Sequence, residues 1–106
     1  MYARLTTTTL ATDQRDEVAQ VLEEVMPVFR QLEGFKGMIV AAEDDGRRVL
    51  AMSLWESEDA LEASAPVMNQ IRDAETCARK IESQETTSFR VVGFDVRWLS
   101  TQALGR

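Results

Sequence analysis

Two apolar segments on either side of a short acidic turn constrain the fold of this chain most strongly. Residues 38–42 and 49–55 are almost entirely apolar, and Asp44, Asp45 and Gly46 between them have the composition of a tight turn. The pattern predicts a β-hairpin. Because successive side chains of a strand point to opposite faces, the second segment presents apolar side chains on both faces of the sheet. Both faces therefore need to be covered.

A strand and a helix are predicted before this hairpin. Residues 2–10 are rich in threonine and contain neither Gly nor Pro, which favours a strand. Apolar residues at three- and four-residue spacing then predict an amphipathic helix between Asp13, an N-cap candidate, and Gly34, a C-cap candidate. Pro27 lies inside this pattern and is expected to kink the helix or to start a new turn.

A second helix and a last strand are predicted after the hairpin. Ser57 is a candidate N-cap of the helix, Pro66 is expected to interrupt it, and Ile81 to extend it. Residues 88–98 form the predicted last strand. The resulting β-α-β-β-α-β order is that of a ferredoxin-like α+β fold with a four-stranded antiparallel sheet.

The apolar sheet implies a partner. Both helices of this fold cover one face of the sheet, so the second apolar face would be left bare. We expect a homodimer in which the bare faces of two sheets pack together as a dimeric α/β barrel. Residues 1–98 would form one domain, and residues 99–106 a C-terminal tail that is weakly ordered or reaches across to the partner.

Charge and cysteine content limit the partners and the compartment. The net charge is −6 and no cluster of Lys and Arg occurs, which argues against binding to nucleic acid or to an anionic membrane surface. No segment approaches the ~18 apolar residues that span a bilayer, and the first residues lack the apolar core of a signal peptide. Cys77 is the only cysteine, so an internal disulfide is impossible and a cytoplasmic location is expected.

The absence of histidine limits the chemistry. It excludes Ser-His-Asp and Cys-His nucleophilic machinery, and also histidine-ligated zinc, iron and haem. Neither a metal nor a cofactor is expected. Acid–base chemistry would fall to a carboxylate, Lys, Tyr, Cys or bound water.

Two short motifs lie at the ends of the predicted hairpin. Gly34-Phe35-Lys36-Gly37 resembles the GF-x-G start of the second strand in dimeric α/β barrel proteins. The sequence Leu-Trp-Glu-Ser-Glu-Asp-Ala at residues 54–60 resembles the W-E-S-x-x-A junction of their antibiotic biosynthesis monooxygenase branch. The likeness extends over about residues 1–98, because the order and spacing of the elements also agree.

This resemblance implies an activity. Active members of the branch oxygenate polycyclic phenols or quinols without flavin or metal, and the carbanion of the substrate itself reduces oxygen. They are similar in carrying an Asn four residues before the motif Trp and a Tyr six residues after it. This chain has Ala51 and Leu61 at those positions and retains Trp55. Haem-degrading relatives depend on an Asn and a His, so haem degradation is not expected.

Strand alternation predicts a ligand pocket on one face of the sheet. With the first strand between the third and fourth, Arg4 and Thr6 would lie beside Ala51, Ser53 and Trp55 on one side and beside Arg90, Val92 and Phe94 on the other. Polar residues of the second helix would close the pocket mouth. An aromatic wall with inward arginines suits a small aromatic phenolate, carboxylate or enolate. The candidate ligand contacts are Arg4, Thr6, Ser53, Trp55, Asn69, Arg72 and Arg90.

Three functions remain open at this point, and catalytic residues are not assigned. The first is a cofactor-independent monooxygenase acting on a small aromatic or quinol-type substrate. The second is a non-catalytic ligand-binding or stress-associated barrel, and the third is a pure dimerisation or interaction module. The candidate residues also have structural interpretations, with Trp55 filling the core or interface and the arginines forming ion pairs at a rim.

Overall fold

The computed structural model describes residues 1–78 and 81–95, so the predicted tail over residues 99–106 lies outside the described part. Four strands form one antiparallel sheet: β1 (Tyr2–Leu10), β2 (Phe35–Ala42), β3 (Arg48–Trp55) and β4 (Ile81–Arg90). The helices are α1 (Arg15–Arg30), α2 (Glu58–Ala63) and α3 (Ala65–Ala78). The predicted ferredoxin-like β-α-β-β-α-β order is confirmed, with the second helical segment divided into α2 and α3.

The centre of the sheet has the register that side-chain alternation predicts. The strand order is β2-β3-β1-β4, so β1 lies between β3 and β4. Arg4 pairs with Ser53 and Thr6 with Ala51 in the antiparallel β1–β3 ladder. Arg4, Thr6, Ser53 and Ala51 therefore lie on one face of the sheet.

Helix α1 differs from its prediction at two points. Gln14 occupies the N-cap position, and the predicted N-cap, Asp13, instead accepts the backbone N–H of Arg15 through its carboxylate at 3.1 Å. The helix ends at Arg30 with Gln31 as its C-cap, three residues before the predicted C-cap Gly34, and Pro27 lies inside it. Proline removes one backbone donor from the ladder, and the packing of α1 against the sheet outweighs that loss.

The second helical segment begins as predicted and divides near its proline. The Ser57 hydroxyl accepts the N–H of Ala60 at 3.1 Å, which confirms Ser57 as the N-cap of α2. Helix α2 ends at Ala63 with Ser64 as its C-cap, and Pro66 is the second residue of α3. Proline is tolerated in a first helical turn because the N–H that it lacks has no acceptor there.

Strand β4 begins earlier than predicted. The predicted strand over residues 88–98 is confirmed only at residues 88–90, because β4 runs Ile81–Arg90, residues 91–95 have no regular secondary structure, and residues 96–98 lie outside the described part. Ile81, which was expected to extend the helix, is the first residue of the strand. β4 lies at the edge of the sheet and its side chains are mostly polar and exposed. Hydrogen bonding to β1, rather than hydrophobic patterning, defines such a strand.

The helices cover one face of the sheet and leave the other face open. The buried apolar residues on the covered side include Leu10, Phe29, Val49, Trp55 and Leu61. The open face carries large apolar side chains that remain accessible: Ile39 is 60% exposed, Leu50 39% and Phe89 48%. In the described part of the chain, no helix is both long enough and apolar enough to cross a bilayer.

The two sequence motifs meet in space through a contact between Gly34 and Ala60. The Gly34 carbonyl accepts the N–H of Glu56 at 2.7 Å. Gly34 has a φ of 79°, and a Cβ placed on it would lie 2.5 Å from the Ala60 Cβ. The Phe35 ring packs edge-on against the Trp55 ring, with centroids 5.3 Å apart. The GF-x-G and W-E-S-x-x-A motifs therefore form one packing unit.

Substituting Gly34→Ala is expected to lower the free energy of unfolding by about 2 kcal/mol or more, because the left-handed backbone is strained by a side chain and the new Cβ collides with Ala60. Urea denaturation measures the loss. Gly93→Ala is the control, since no atom lies within 4 Å of a Cβ at Gly93. Equal stability of the two variants would contradict the packing described here.

Candidate ligand-binding site

A cavity of about 220 Å³ lies between the sheet and helices α1 and α3. It is partly open to solvent, and its wall is mainly apolar. A concave apolar space with a few polar groups is the usual form of a small-molecule site. The apolar lining residues are Leu10, Val18, Val21, Leu22, Val25, Phe29, Met38, Val40, Val49, Ala51, Ala65, Met68, Ile71 and Ile81.

Most of the polar residues that line the cavity bond to one another. The Thr6 and Thr86 hydroxyls are 3.3 Å apart, and the Gln84 amide donates to the Thr8 hydroxyl at 3.0 Å. On α3, the Arg72 guanidinium donates to the side-chain oxygen of Asn69. The polar lining residues are Arg4, Thr6, Thr8, Asn69, Arg72, Gln84 and Thr86.

Arg4 is a buried cation at the wall of this cavity. It is 7% exposed, and its guanidinium donates to the Leu61 carbonyl at 2.7 Å and to the Ser64 hydroxyl at 2.9 Å. Ser64 in turn donates to the Leu61 carbonyl at 2.6 Å. Both acceptors lie at the C-terminal end of α2, where the helix dipole favours a positive charge. Arg4 therefore joins the central strand to α2.

The electrostatic environment of Arg4 is unusual. Burial lowers the pKa of Arg4, and the positive charge of Arg72 lowers it further. Among the described side chains, those of residues 1–74 and 81–95, the ion pairs are Arg15–Asp13, Arg47–Glu82 and Arg48–Glu43, so none of these carboxylates pairs with Arg4. Arginine stays protonated in proteins, so this part of the cavity wall is positively charged.

Trp55 and Ser53 lie in the core and do not line the cavity. Trp55 is 0% exposed, and its indole N–H donates to the Ser53 hydroxyl at 2.9 Å. Its ring packs against Phe35, whose ring stacks on Phe29 with centroids 6.0 Å apart. Among the aromatic residues that the structure describes, Phe29 borders the cavity. The geometry corresponds to the core-filling interpretation of Trp55.

Arg90 also lies apart from the cavity. It pairs with Tyr2 across β1 and β4, and its guanidinium donates to the Tyr2 hydroxyl at 3.0 Å. The guanidinium carbon is 5.6 Å from the centre of the Tyr2 ring, a cation–π contact. Val92 and Phe94, which were expected beside Arg4 and Thr6, lie beyond the end of β4 and are exposed.

Four of the seven candidate residues line the cavity, namely Arg4, Thr6, Asn69 and Arg72, and the other three do not. Sequence reasoning missed Thr8, Gln84 and Thr86. Thr8 could have been found, because it follows Arg4 and Thr6 on the same face of β1. Gln84 and Thr86 could not have been found, because the predicted last strand began at residue 88. Thr86 pairs with Thr6 in the observed register of β4.

The described cavity wall contains no side chain that ordinarily accepts a proton near neutral pH. Its ionisable members are Arg4 and Arg72. The chain has no histidine, and Tyr2, its one tyrosine, contacts Arg90 instead. Among the side chains that the structure describes, those of residues 1–74 and 81–95, Asp and Glu form no group of three or more that could hold a metal ion.

The sequence of residues 1–65 matches the family described as antibiotic biosynthesis monooxygenase. The match spans more than half of the chain. The chain belongs to this family. It is the family that the motifs around Gly34 and Trp55 indicate. No curated protein matches the sequence.

Solved structures of oxygenases share the fold of this family member. A monooxygenase from the gene ActVA-Orf6 of Streptomyces coelicolor, in complex with nanaomycin D, has a TM-score of 0.75 at 17% identity over 92% of each chain. SnoaB, a cofactor-independent oxygenase from Streptomyces nogalater, has a TM-score of 0.70 at 16% identity over 88% of this chain and 94% of SnoaB.

A dimeric ferredoxin-like protein from an uncultured marine organism is also similar. Its TM-score is 0.71 at 11% identity, over 92% of each chain. At such low sequence identity, the structural similarity shows a shared fold and does not assign functional residues to this chain.

Substituting Ser53→Ala is expected to lower the free energy of unfolding by about 1–3 kcal/mol, because the buried Trp55 N–H loses its acceptor. Thermal or urea denaturation measures the change, and Ser83→Ala on the exposed side of β4 is the control. In a Trp55→Phe background the cost of Ser53→Ala should disappear. A cost that persists there would show that Ser53 acts through another contact.

Proposed function

We propose that this chain is a cofactor-independent monooxygenase whose small aromatic or quinol-type substrate binds in the cavity between the sheet and helices α1 and α3. One observation carries the proposal. An apolar cavity meets a buried guanidinium, that of Arg4, which has no carboxylate partner among the described residues. The apolar wall suits an aromatic ring, and the guanidinium suits a phenolate or enolate oxygen.

Family membership and the similar structures support this proposal. The family is described as one of monooxygenases. One of the similar oxygenases holds nanaomycin D, and another is a cofactor-independent oxygenase. Both have the fold that places a cavity between the sheet and the helices of this chain.

The proposed reaction converts a hydroxyarene and O₂ into a quinone and water. The ionised ring supplies the electrons, so a carbon–oxygen bond forms at a ring carbon and gives a hydroperoxide. The oxygen–oxygen bond then breaks, and the ring carbon loses its hydrogen and becomes a carbonyl. The second oxygen leaves as water with that hydrogen and one proton from solvent, which balances the proton that the hydroxyl released on ionisation.

The protein contributes binding and electrostatics to this reaction. Arg4 stabilises the negative charge of the ionised substrate, and Arg72 adds a second positive charge from α3. Both interactions are stronger in an apolar cavity than in water. The apolar wall also limits the access of water to the reactive ring.

A non-catalytic ligand-binding barrel is the second candidate. The described wall of the cavity has no base, and Trp55 lies outside it. Ala51 and Leu61 occupy the positions at which the family resemblance implies polar residues in active members. Those observations favour binding without turnover. An open cavity is not needed by a pure interaction module, so the third function has the least support.

Substituting Ala51→Leu is expected to lower ligand affinity and oxygen uptake at least tenfold, because the larger side chain fills the cavity floor. Oxygen uptake is measured with naphthols and quinols of one to three rings, in the presence of a chelator and without flavin. Ala11→Leu makes the same change at an exposed position after β1 and should leave uptake unaltered.

Two results would contradict the proposal. Oxygen uptake that requires added metal or flavin would exclude cofactor-independent chemistry. Ligand binding that is lost in Ala51→Leu, with no uptake from any substrate, would instead identify the non-catalytic barrel.

We also propose that the chain forms a homodimer through the open face of its sheet. Ile39, Leu50 and Phe89 expose large apolar side chains there, on three different strands. The occupant that fits best is a second copy, because one similar structure is that of a dimeric ferredoxin-like protein. Two identical sheets packed face to face would remove these side chains from water.

Ile39→Asp is expected to convert the dimer into a monomer, because it places a charge within the apolar interface. Light scattering coupled to gel filtration measures the molar mass. Val28→Asp is the matched control, since Val28 is 45% exposed on α1, away from the open face. A wild-type protein that is monomeric, or a dimer that only Val28→Asp disrupts, would contradict this interface.

A cytoplasmic location without a nucleic-acid or membrane partner is the remaining part of the proposal. A single cysteine supports a reducing compartment, because no internal disulfide can form. The net charge of −6 supports the exclusion of polyanionic partners.

A further inference from the structure

We infer that the cavity takes its ligand as a preformed anion: an acidic hydroxyarene of one or two fused rings that ionises in water before it binds. The inference rests on the proposed function and specifies the substrate class of the same site. It is carried by the charges and hydrogen bonds of the cavity wall and by the size of the cavity.

Every charged residue in the described wall is an arginine. β1 contributes Arg4 and α3 contributes Arg72. The lining residues of α1, β2, β3 and β4 are apolar or neutral. The wall therefore attracts an anion, and no carboxylate in it repels one.

Arg4 has donor capacity left for a ligand. A guanidinium carries more N–H donors than the two that Arg4 uses on Leu61 and Ser64. The threonines and Gln84 of the wall, in contrast, bond to one another across β1 and β4. An anionic oxygen bound beside Arg4 would satisfy donors that the described protein atoms leave unused.

Ionisation has to precede binding because the described wall has no base. Phenols resemble tyrosine, with a pKa of about 10, and a nearby opposite charge lowers such a pKa by at most about 3 units. An ordinary phenol would then be at most half ionised at neutral pH. Desolvation by the apolar wall disfavours the charged form and lowers this fraction further. A hydroxyarene made acidic by a carbonyl or another electron-withdrawing group meets the requirement.

The size of the cavity limits the number of rings. An apolar cavity of about 150 Å³ accommodates benzene, whereas pockets for larger drug-sized ligands begin near 300 Å³. The cavity of about 220 Å³ lies between these values. It therefore suits one ring or two fused rings.

Nitrophenols test this inference, because the phenol and phenolate forms absorb at different wavelengths. 3-Nitrophenol, 4-nitrophenol and 2,4-dinitrophenol are titrated with the purified protein across the pH range in which it stays folded. We expect phenolate spectra in the bound state, and a pH midpoint of binding that moves by one unit for each unit of ligand pKa. A midpoint that is the same for all three ligands would indicate a protein base and overturn the inference.

Arginine variants test which positive side chains bind the anion. Arg72→Met is expected to weaken phenolate binding about tenfold and to raise the pKa of the bound nitrophenol by about one unit. Arg48→Met is the control, because Arg48 is exposed and pairs with Glu43. Equal affinities of these two variants would overturn the placement of the anion. Arg4→Met, compared after its folding is checked by circular dichroism, should weaken binding further.

This experiment separates the inference from the proposed function, since nitrophenol binding is read without oxygen consumption. A protein that binds phenolates but consumes no oxygen with any substrate overturns the monooxygenase and supports the inference. A protein that consumes oxygen but binds nitrophenols in their neutral form overturns the inference alone.

Discussion

The bonds from the Arg4 guanidinium to the end of α2 determine much of the geometry of this protein. Arg4 lies in the central strand, and its acceptors, Leu61 and Ser64, lie where α2 ends and α3 begins. Through these bonds Arg4 links the sheet to the helical segment that forms one wall of the cavity. Burial of a cation that pairs with none of the described carboxylates is costly, so this connection lowers the stability of the fold.

The residues of the two sequence motifs and the residues that line the cavity are different sets. Gly34, Phe35, Trp55 and Ala60 pack against one another beside the cavity and fix how the hairpin enters α2. A match to the two motifs is therefore moderately specific for the fold and only weakly specific for an activity. The polar residues that line the cavity lie on β1, β4 and α3 and are not part of either motif.

Much of the fold and about half of the site could be predicted from the sequence. β1 and the hairpin have strong apolar or β-branched patterns, and the alternation of Arg4 and Thr6 placed them correctly on the covered face. β4 could not be predicted, because an exposed edge strand such as Ile81–Arg90 has almost no hydrophobic signal, and the apolar residues that follow it resemble a strand more closely. The wrong register placed Arg90 beside the cavity. The burial of Trp55 depends on packing against Phe35, which strand alternation does not reveal.

The proposed binding of an anion beside Arg4, which also donates to α2, has a consequence for how long the protein persists. An anion beside Arg4 would offset the charge that burial leaves uncompensated, so the ligand-bound form is the more stable one. In a marginally stable domain, the folded fraction depends strongly on such a difference in the free energy of unfolding. Where the ligand is scarce, more of the chain would be unfolded and open to proteolysis, so the supply of ligand would set the abundance of the protein that binds it.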